Sequence, residues 1–138
     1  MTVATNNRAL NAFQREAILS ASPARLLVML YDRLMLDLAR AESAQVAGEW
    51  EAAGKQLLHA QDIIAELAGS LEVGAWDGGE NLLGIYNYAG TAMMNANIYR
   101  NVELTRECSA LLEPLRQSWH AAAAAPAPLA AGPAGGIG

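Results

Sequence analysis

Apolar residues recur at steps of three and four along most of this chain, and this spacing predicts amphipathic helices. The first run begins after Ser22-Pro23, where a serine hydroxyl can cap free N–H groups and proline suits the first helical position; it extends to about Val46. The second run is nearly heptad and begins near Trp50. The inner faces are Leu27, Leu30, Tyr31, Leu34, Leu38 and Ala41, then Ala53, Leu57, Ala60, Ile64, Leu67 and Leu71.

A glycine-rich segment at residues 74–79 interrupts the pattern. Each glycine inside a helix costs about 1 kcal/mol relative to alanine, so the segment is predicted to be a loop. Two more helices follow, from about Glu80 to Arg100 and from Val102 or Leu104 to about Ala123, and Pro114 should kink or split the last one. Their inner faces are Leu82, Tyr86, Ala89, Met93 and Ala96, then Leu104, Cys108, Leu111, Leu115 and Trp119.

Four amphipathic helices joined by short links predict an all-α fold, an antiparallel up-down four-helix bundle. We assign the bundle to residues 22–123 and a mobile N-terminal arm to residues 1–21. Residues 124–138 are rich in alanine, proline and glycine. Such a segment has little to bury, so we expect a disordered tail.

Charge narrows the range of partners. The formal net charge is −5, and only nine Lys and Arg residues are present. Nucleic-acid-binding surfaces and anionic membrane surfaces both call for clustered basic residues, so neither partner is expected. No apolar stretch approaches the roughly 18 residues that span a bilayer, and the first residues lack the pattern of a signal peptide. We therefore expect a cytoplasmic protein that is not inserted in a membrane.

The sequence offers no catalytic or metal-binding pattern. The two histidines, His59 and His120, have Gln56 and Gln117 three positions before them, so neither belongs to a Glu-x-x-His metal pair. His59 also lacks the neighbours of a phosphotransfer histidine and is expected at the bundle surface or rim. Cys108 falls in an apolar strip and is expected to be a buried thiol. We predict no enzyme activity, no cofactor and no metal site.

The first helix carries more apolar residues than one core face needs. A helix that is apolar around much of its circumference either is buried on several sides or offers a groove. A well-filled core explains the same pattern, and periodicity alone leaves both possibilities open. The surplus residues are Leu26, Val28, Met29, Met35 and Leu36, and the third helix adds Tyr86, Tyr88, Met93 and Met94.

Seven short strings occur in an order that resembles one known family. They are Ala21-Ser22-Pro23, Met29-Leu30-Tyr31-Asp32, Ala60-Gln61-Asp62-Ile63-Ile64-Ala65-Glu66-Leu67, Gly78-Gly79-Glu80-Asn81-Leu82, Ile85-Tyr86-Asn87-Tyr88, Ala96-Asn97 and Leu115-Arg116-Gln117-Ser118-Trp119. Across roughly residues 13–120 the chain resembles the flagellar secretion chaperone FliS family.

The resemblance implies an export chaperone that binds the disordered C-terminal segment of flagellin in hydrophobic grooves. Such a chaperone prevents premature polymerisation and delivers flagellin to a component of the flagellar export apparatus. It implies docking of the N-terminal arm through Phe13 and Ile18. The alternative is a general helical adaptor or a homodimeric interaction module. Carried onto this chain, the groove positions are Tyr31, Ile64, Leu67, Leu71, Leu82, Tyr86 and Met93.

Overall fold

Four helices form the described part of the chain, and they confirm the predicted all-α bundle. The structure is a computed structural model that describes residues 23–75 and 77–125, and this part contains no strand. The helices are α1 (Pro23–Val46), α2 (Trp50–Ser70), α3 (Gly79–Ile98) and α4 (Val102–Ala124), with a short 3₁₀ turn at Val73–Ala75. Each helix boundary that the sequence predicted lies within two residues of the observed one.

Side-chain pairs show that α1 and α4 run in opposite directions. Arg106 Nε donates to Glu42 Oε2 at 2.7 Å, and Arg116 donates to Asp32 Oδ1 at 3.1 Å. Residues late in α4 therefore meet residues early in α1. Because α1 also packs on α2 and α3 packs on both α2 and α4, the four helices close into a ring.

The other interfaces have the same antiparallel arrangement. Cys108 Sγ of α4 lies 3.7 Å from the carbonyl oxygen of Ala89 in α3. Between α2 and α3, a Cβ placed on Gly90 would lie 3.6 Å from Ile64, in ordinary van der Waals contact. Small residues at these crossings let the helix backbones approach closely, and the short links between helices leave no other arrangement for neighbours.

The core follows the predicted strips in α1, α2 and α3 but is displaced in α4. Leu112 and Thr105 are fully buried there, together with Cys108, whereas Leu111 is only partly buried. The pattern concealed this stripe because one of its members is polar. Thr105 donates to Gln45 Oε1 at 2.7 Å, and this bond satisfies the buried hydroxyl.

Pro114 does not split α4, which is continuous from Val102 to Ala124. Proline removes the N–H that would bond to the carbonyl of Ala110 four residues earlier. Both Pro114 and Ala110 are exposed, so water can reach the carbonyl that loses its partner. Of the two predicted outcomes, a kink or a split, the continuous helix excludes the split.

Gly79 is expected to be intolerant of any side chain. A Cβ there would lie 2.2 Å from the backbone oxygen of Val73, whereas a Cβ on Gly84 of the same helix would meet nothing within 4 Å. Gly79→Ala should lower the free energy of unfolding by about 1–3 kcal/mol through overpacking. Gly84→Ala should raise it by up to about 1 kcal/mol through helix propensity. Urea denaturation of both variants checks this; equal effects would contradict it.

Candidate functional site

An apolar groove of about 730 Å³ lies between α1 and α2, and we call it the α1–α2 groove. Met29 is 36% exposed, and Leu26 and Leu30 are partly buried. Leu26 and Met29 are among the surplus apolar residues of α1, and Leu30 belongs to its predicted core strip. The groove is lined by Leu26, Met29, Leu30 and Arg33 of α1 and by His59, Asp62, Ile63 and Glu66 of α2.

A buried carboxylate holds two side chains in place at one end of the groove. Asp37 of α1 is completely buried, and its Oδ1 accepts a 2.9 Å hydrogen bond from Arg33 Nε. Its Oδ2 forms a short hydrogen bond with His59 Nδ1 across the helix interface. Charge-assisted hydrogen bonds of this kind restrict both partners to one geometry. Arg33 and His59, each about half exposed, are therefore held in place at the groove end.

His59 thus lies at the rim of the bundle, as the sequence predicted, but its buried partner was not anticipated. Asp37 sits in α1 between Leu34 and Leu38, and hydrophobic patterning does not identify a carboxylate that is buried. The available signal was Arg33 four residues earlier, a spacing that brings two side chains together on a helix.

A second depression, of about 510 Å³, lies beside the loop from α2 to α3, and we call it the end cavity. Its wall joins the last turn of α2, the first turns of α1 and α3, and the far part of α4. The surface is mostly apolar. It is lined by Pro23, Leu27, Leu67, Ser70, Leu71, Glu72, Ala75, Leu82, Tyr86 and Trp119.

Two tyrosines and a tryptophan form the wall of the core next to the end cavity. The hydroxyls of Tyr31 and Tyr86 are 2.7 Å apart, and the Trp119 ring centroid lies 6.4 Å from that of Tyr31. Burial, above all, raises the pKa of both tyrosines, and the hydrogen bond with Tyr31 adds to the rise in the pKa of Tyr86. Both hydroxyls therefore stay protonated at neutral pH, which fits packing and not acid–base chemistry.

The remaining candidate nucleophile is also unreactive. Cys108 is completely buried. Burial raises the pKa of this thiol to about 12, and the charge of Glu107 makes a smaller contribution in the same direction. A thiol that stays protonated is a poor nucleophile.

The structure places the predicted partner-binding residues in two groups. Four of them, Leu67, Leu71, Leu82 and Tyr86, line the end cavity, and Leu71 is the one that is only partly buried. The other three lie in the core: Tyr31 and Met93 are 0% exposed and Ile64 is 4% exposed. Their role in partner binding stays a prediction. Phe13 and Ile18, assigned to docking of the arm, lie outside the described residues.

No group of three histidine, cysteine, aspartate or glutamate side chains suitable for a metal ion occurs in residues 23–75 and 77–125. Among the helices of those same residues, none is long and apolar enough to cross a lipid bilayer. The described residues define the class of four-helix bundles that carry mostly apolar surface depressions.

Comparison with known proteins places the chain within that class. The family model described as flagellar protein FliS matches residues 5–126, so the chain belongs to the FliS family. The flagellar secretion chaperone FliS of Escherichia coli strain K12 is 30% identical over 105 residues, which cover 75% of this chain and 77% of the relative. The family is thus one of flagellar secretion chaperones.

A solved structure has the same fold. It is described as the crystal structure of a flagellar chaperone from bacteria, and it matches with a TM-score of 0.67 at 18% sequence identity. The match covers 83% of this chain and 96% of that one.

Proposed function

We propose that this protein is a cytoplasmic export chaperone that binds the disordered C-terminal segment of flagellin, prevents its premature polymerisation and delivers it to the flagellar export apparatus. The observation that carries the proposal is the α1–α2 groove, an apolar surface on a FliS-family bundle whose own core is already filled. Membership of a family of flagellar secretion chaperones supports it.

The shape of the bundle supports a segment that folds as it binds. A groove between two antiparallel helices suits an amphipathic helix, which inserts apolar residues from one face. The end cavity provides a second apolar site, beside the loop between α2 and α3. A segment that occupied both sites would bury its own assembly surface, so it could not polymerise while bound.

Calorimetric titration with a synthetic peptide of roughly the last forty residues of the same organism's flagellin tests the proposal, because coupled folding gives a strongly negative heat-capacity change. We expect one peptide to bind per chain with that signature. Heat without a heat-capacity change, or no heat at any of several temperatures, would overturn flagellin binding.

A homodimeric adaptor is the competing function, and one observation favours it. Four large apolar side chains are exposed in the structure, three on α3 and one on the residue that follows it. Light scattering over a range of concentrations separates the two functions, because an adaptor would dimerise and would not respond to the peptide. The exposed residues are Tyr88, Met94, Ile98 and Tyr99.

A further inference from the structure

The two edges of the α1–α2 groove differ in charge. On α2, Asp62 and Glu66 both line the groove and are exposed. Neither carboxylate has an ion pair or hydrogen bond with another of the described residues. On α1, the groove is lined by Arg33, whose Nε is bound to the buried carboxylate of Asp37.

These contacts leave two unpaired carboxylates on the α2 edge of the groove. Arg33 is paired with Asp37 at close range, whereas Asp62 and Glu66 make no ion pair with another described residue. The net charge of −5 over the whole chain has the same sign. Complementary charge at the edge of an apolar site selects and orients the partner more than it adds affinity.

From this asymmetry we propose that the α1–α2 groove binds an amphipathic helix with a basic flank, and that this flank pairs with Asp62 and Glu66. The inference rests on the proposed function, since the helix is part of the flagellin segment. Apolar residues of the helix contact Met29, Leu30 and Ile63 at the base of the groove, and Lys or Arg residues lie over α2.

The dimensions of the groove define the helix further. From Leu26 to Arg33 the groove follows α1 for about 10 Å, or two helical turns. Asp62 and Glu66 are four residues apart, one turn along the same face of α2. A bound helix with two basic residues three or four positions apart places one charge opposite each carboxylate. An acidic flank would be repelled at both positions.

The test removes the two charges without changing the shape of the side chains. The double variant Asp62→Asn/Glu66→Gln is compared with Glu51→Gln/Glu80→Gln, which removes two exposed carboxylates outside the groove and leaves the same net charge. Binding of the flagellin peptide is measured by calorimetry at low ionic strength. We expect about three- to tenfold weaker binding for the groove variant and less than twofold for the control.

A double-mutant cycle identifies the partner of the two carboxylates. The basic residues of the peptide are replaced by glutamine, and both peptides are titrated into both proteins. We expect the replaced peptide to bind the wild type and the groove variant equally, since the two changes remove the same interaction.

Each failure has a separate meaning. Absence of wild-type binding would reject the proposed function. Wild-type binding that the groove variant retains at full strength would reject the charged groove alone. Equal losses in the groove variant and the control would also reject it, because they would reflect only total charge.

Discussion

Replacement of Ile64 by aspartate is expected to abolish the cooperative thermal unfolding transition of this bundle. Ile64 is 4% exposed and belongs to the central core, where α2 faces α3. The change removes packing worth about 2–5 kcal/mol and adds the cost of burying a carboxyl group. A domain of this size is stable by only about 5–15 kcal/mol, so most of the native state should be lost.

The matched control for Ile64→Asp is Leu58→Asp. Leu58 lies on the same helix and is 55% exposed, so its carboxylate remains in water and should shift the free energy of unfolding by less than about 1 kcal/mol. Circular dichroism during heating measures the thermal unfolding transition of both variants. A normal transition for Ile64→Asp would show that the side chain reaches solvent in the native state and would support Ile64 as a direct groove residue.

Replacement of Met29 by aspartate is expected to weaken binding of the flagellin peptide by about 10- to 100-fold, because a central apolar anchor becomes a charge. Met29 is 36% exposed at the α1–α2 groove. Since water already reaches this side chain, the free energy of unfolding should change by less than about 1 kcal/mol. Calorimetric titration gives the affinity, and urea denaturation gives the stability.

Leu36→Asp provides the control for Met29→Asp. Leu36 is also on α1 and is 41% exposed, but it does not line the groove. We expect the affinity of the Leu36→Asp variant for the peptide to stay within twofold of the wild-type affinity. If both variants bound equally weakly, the effect would come from added negative charge on α1, and the groove would have no special role.

Helix positions were predictable here because each apolar strip is long and the links carry clear signals. Pro23 begins α1, and the glycines at 74–79 separate α2 from α3. All five residues predicted for the core face of α3 are buried, and Gly79 and Ala92 are buried with them. In α4 the prediction was less accurate, since hydrophobicity cannot identify Thr105 as a core residue whose hydroxyl is satisfied by Gln45.

The candidate site was harder to predict, for a geometric reason. A strip that faces the core and a strip that lines a groove differ by one step on a helix, about 100° of rotation. Ile63 lines the α1–α2 groove and Ile64 faces α3, although both are buried, adjacent and identical in type. Sequence alone cannot distinguish them, because the distinction depends on where α1 and α3 pack.

The polar end of the α1–α2 groove could not be predicted from the sequence, for a related reason. Hydrophobic patterning treats a carboxylate as a surface group, and Asp37 is buried only because Arg33 and His59 come to it from two helices. One of those partners is 22 positions away in sequence. Contacts of that kind become visible only once the antiparallel pairing of α1 and α2 is known.

The protonated, inaccessible state of Cys108 has a practical consequence for work in solution. It is the single cysteine of the chain, and native α3–α4 packing shields it completely. A thiol-specific dye can therefore be attached to a cysteine introduced at the groove while the native thiol stays unmodified in the folded protein. When no second cysteine is present, slow modification of Cys108 reports the rate at which the bundle opens.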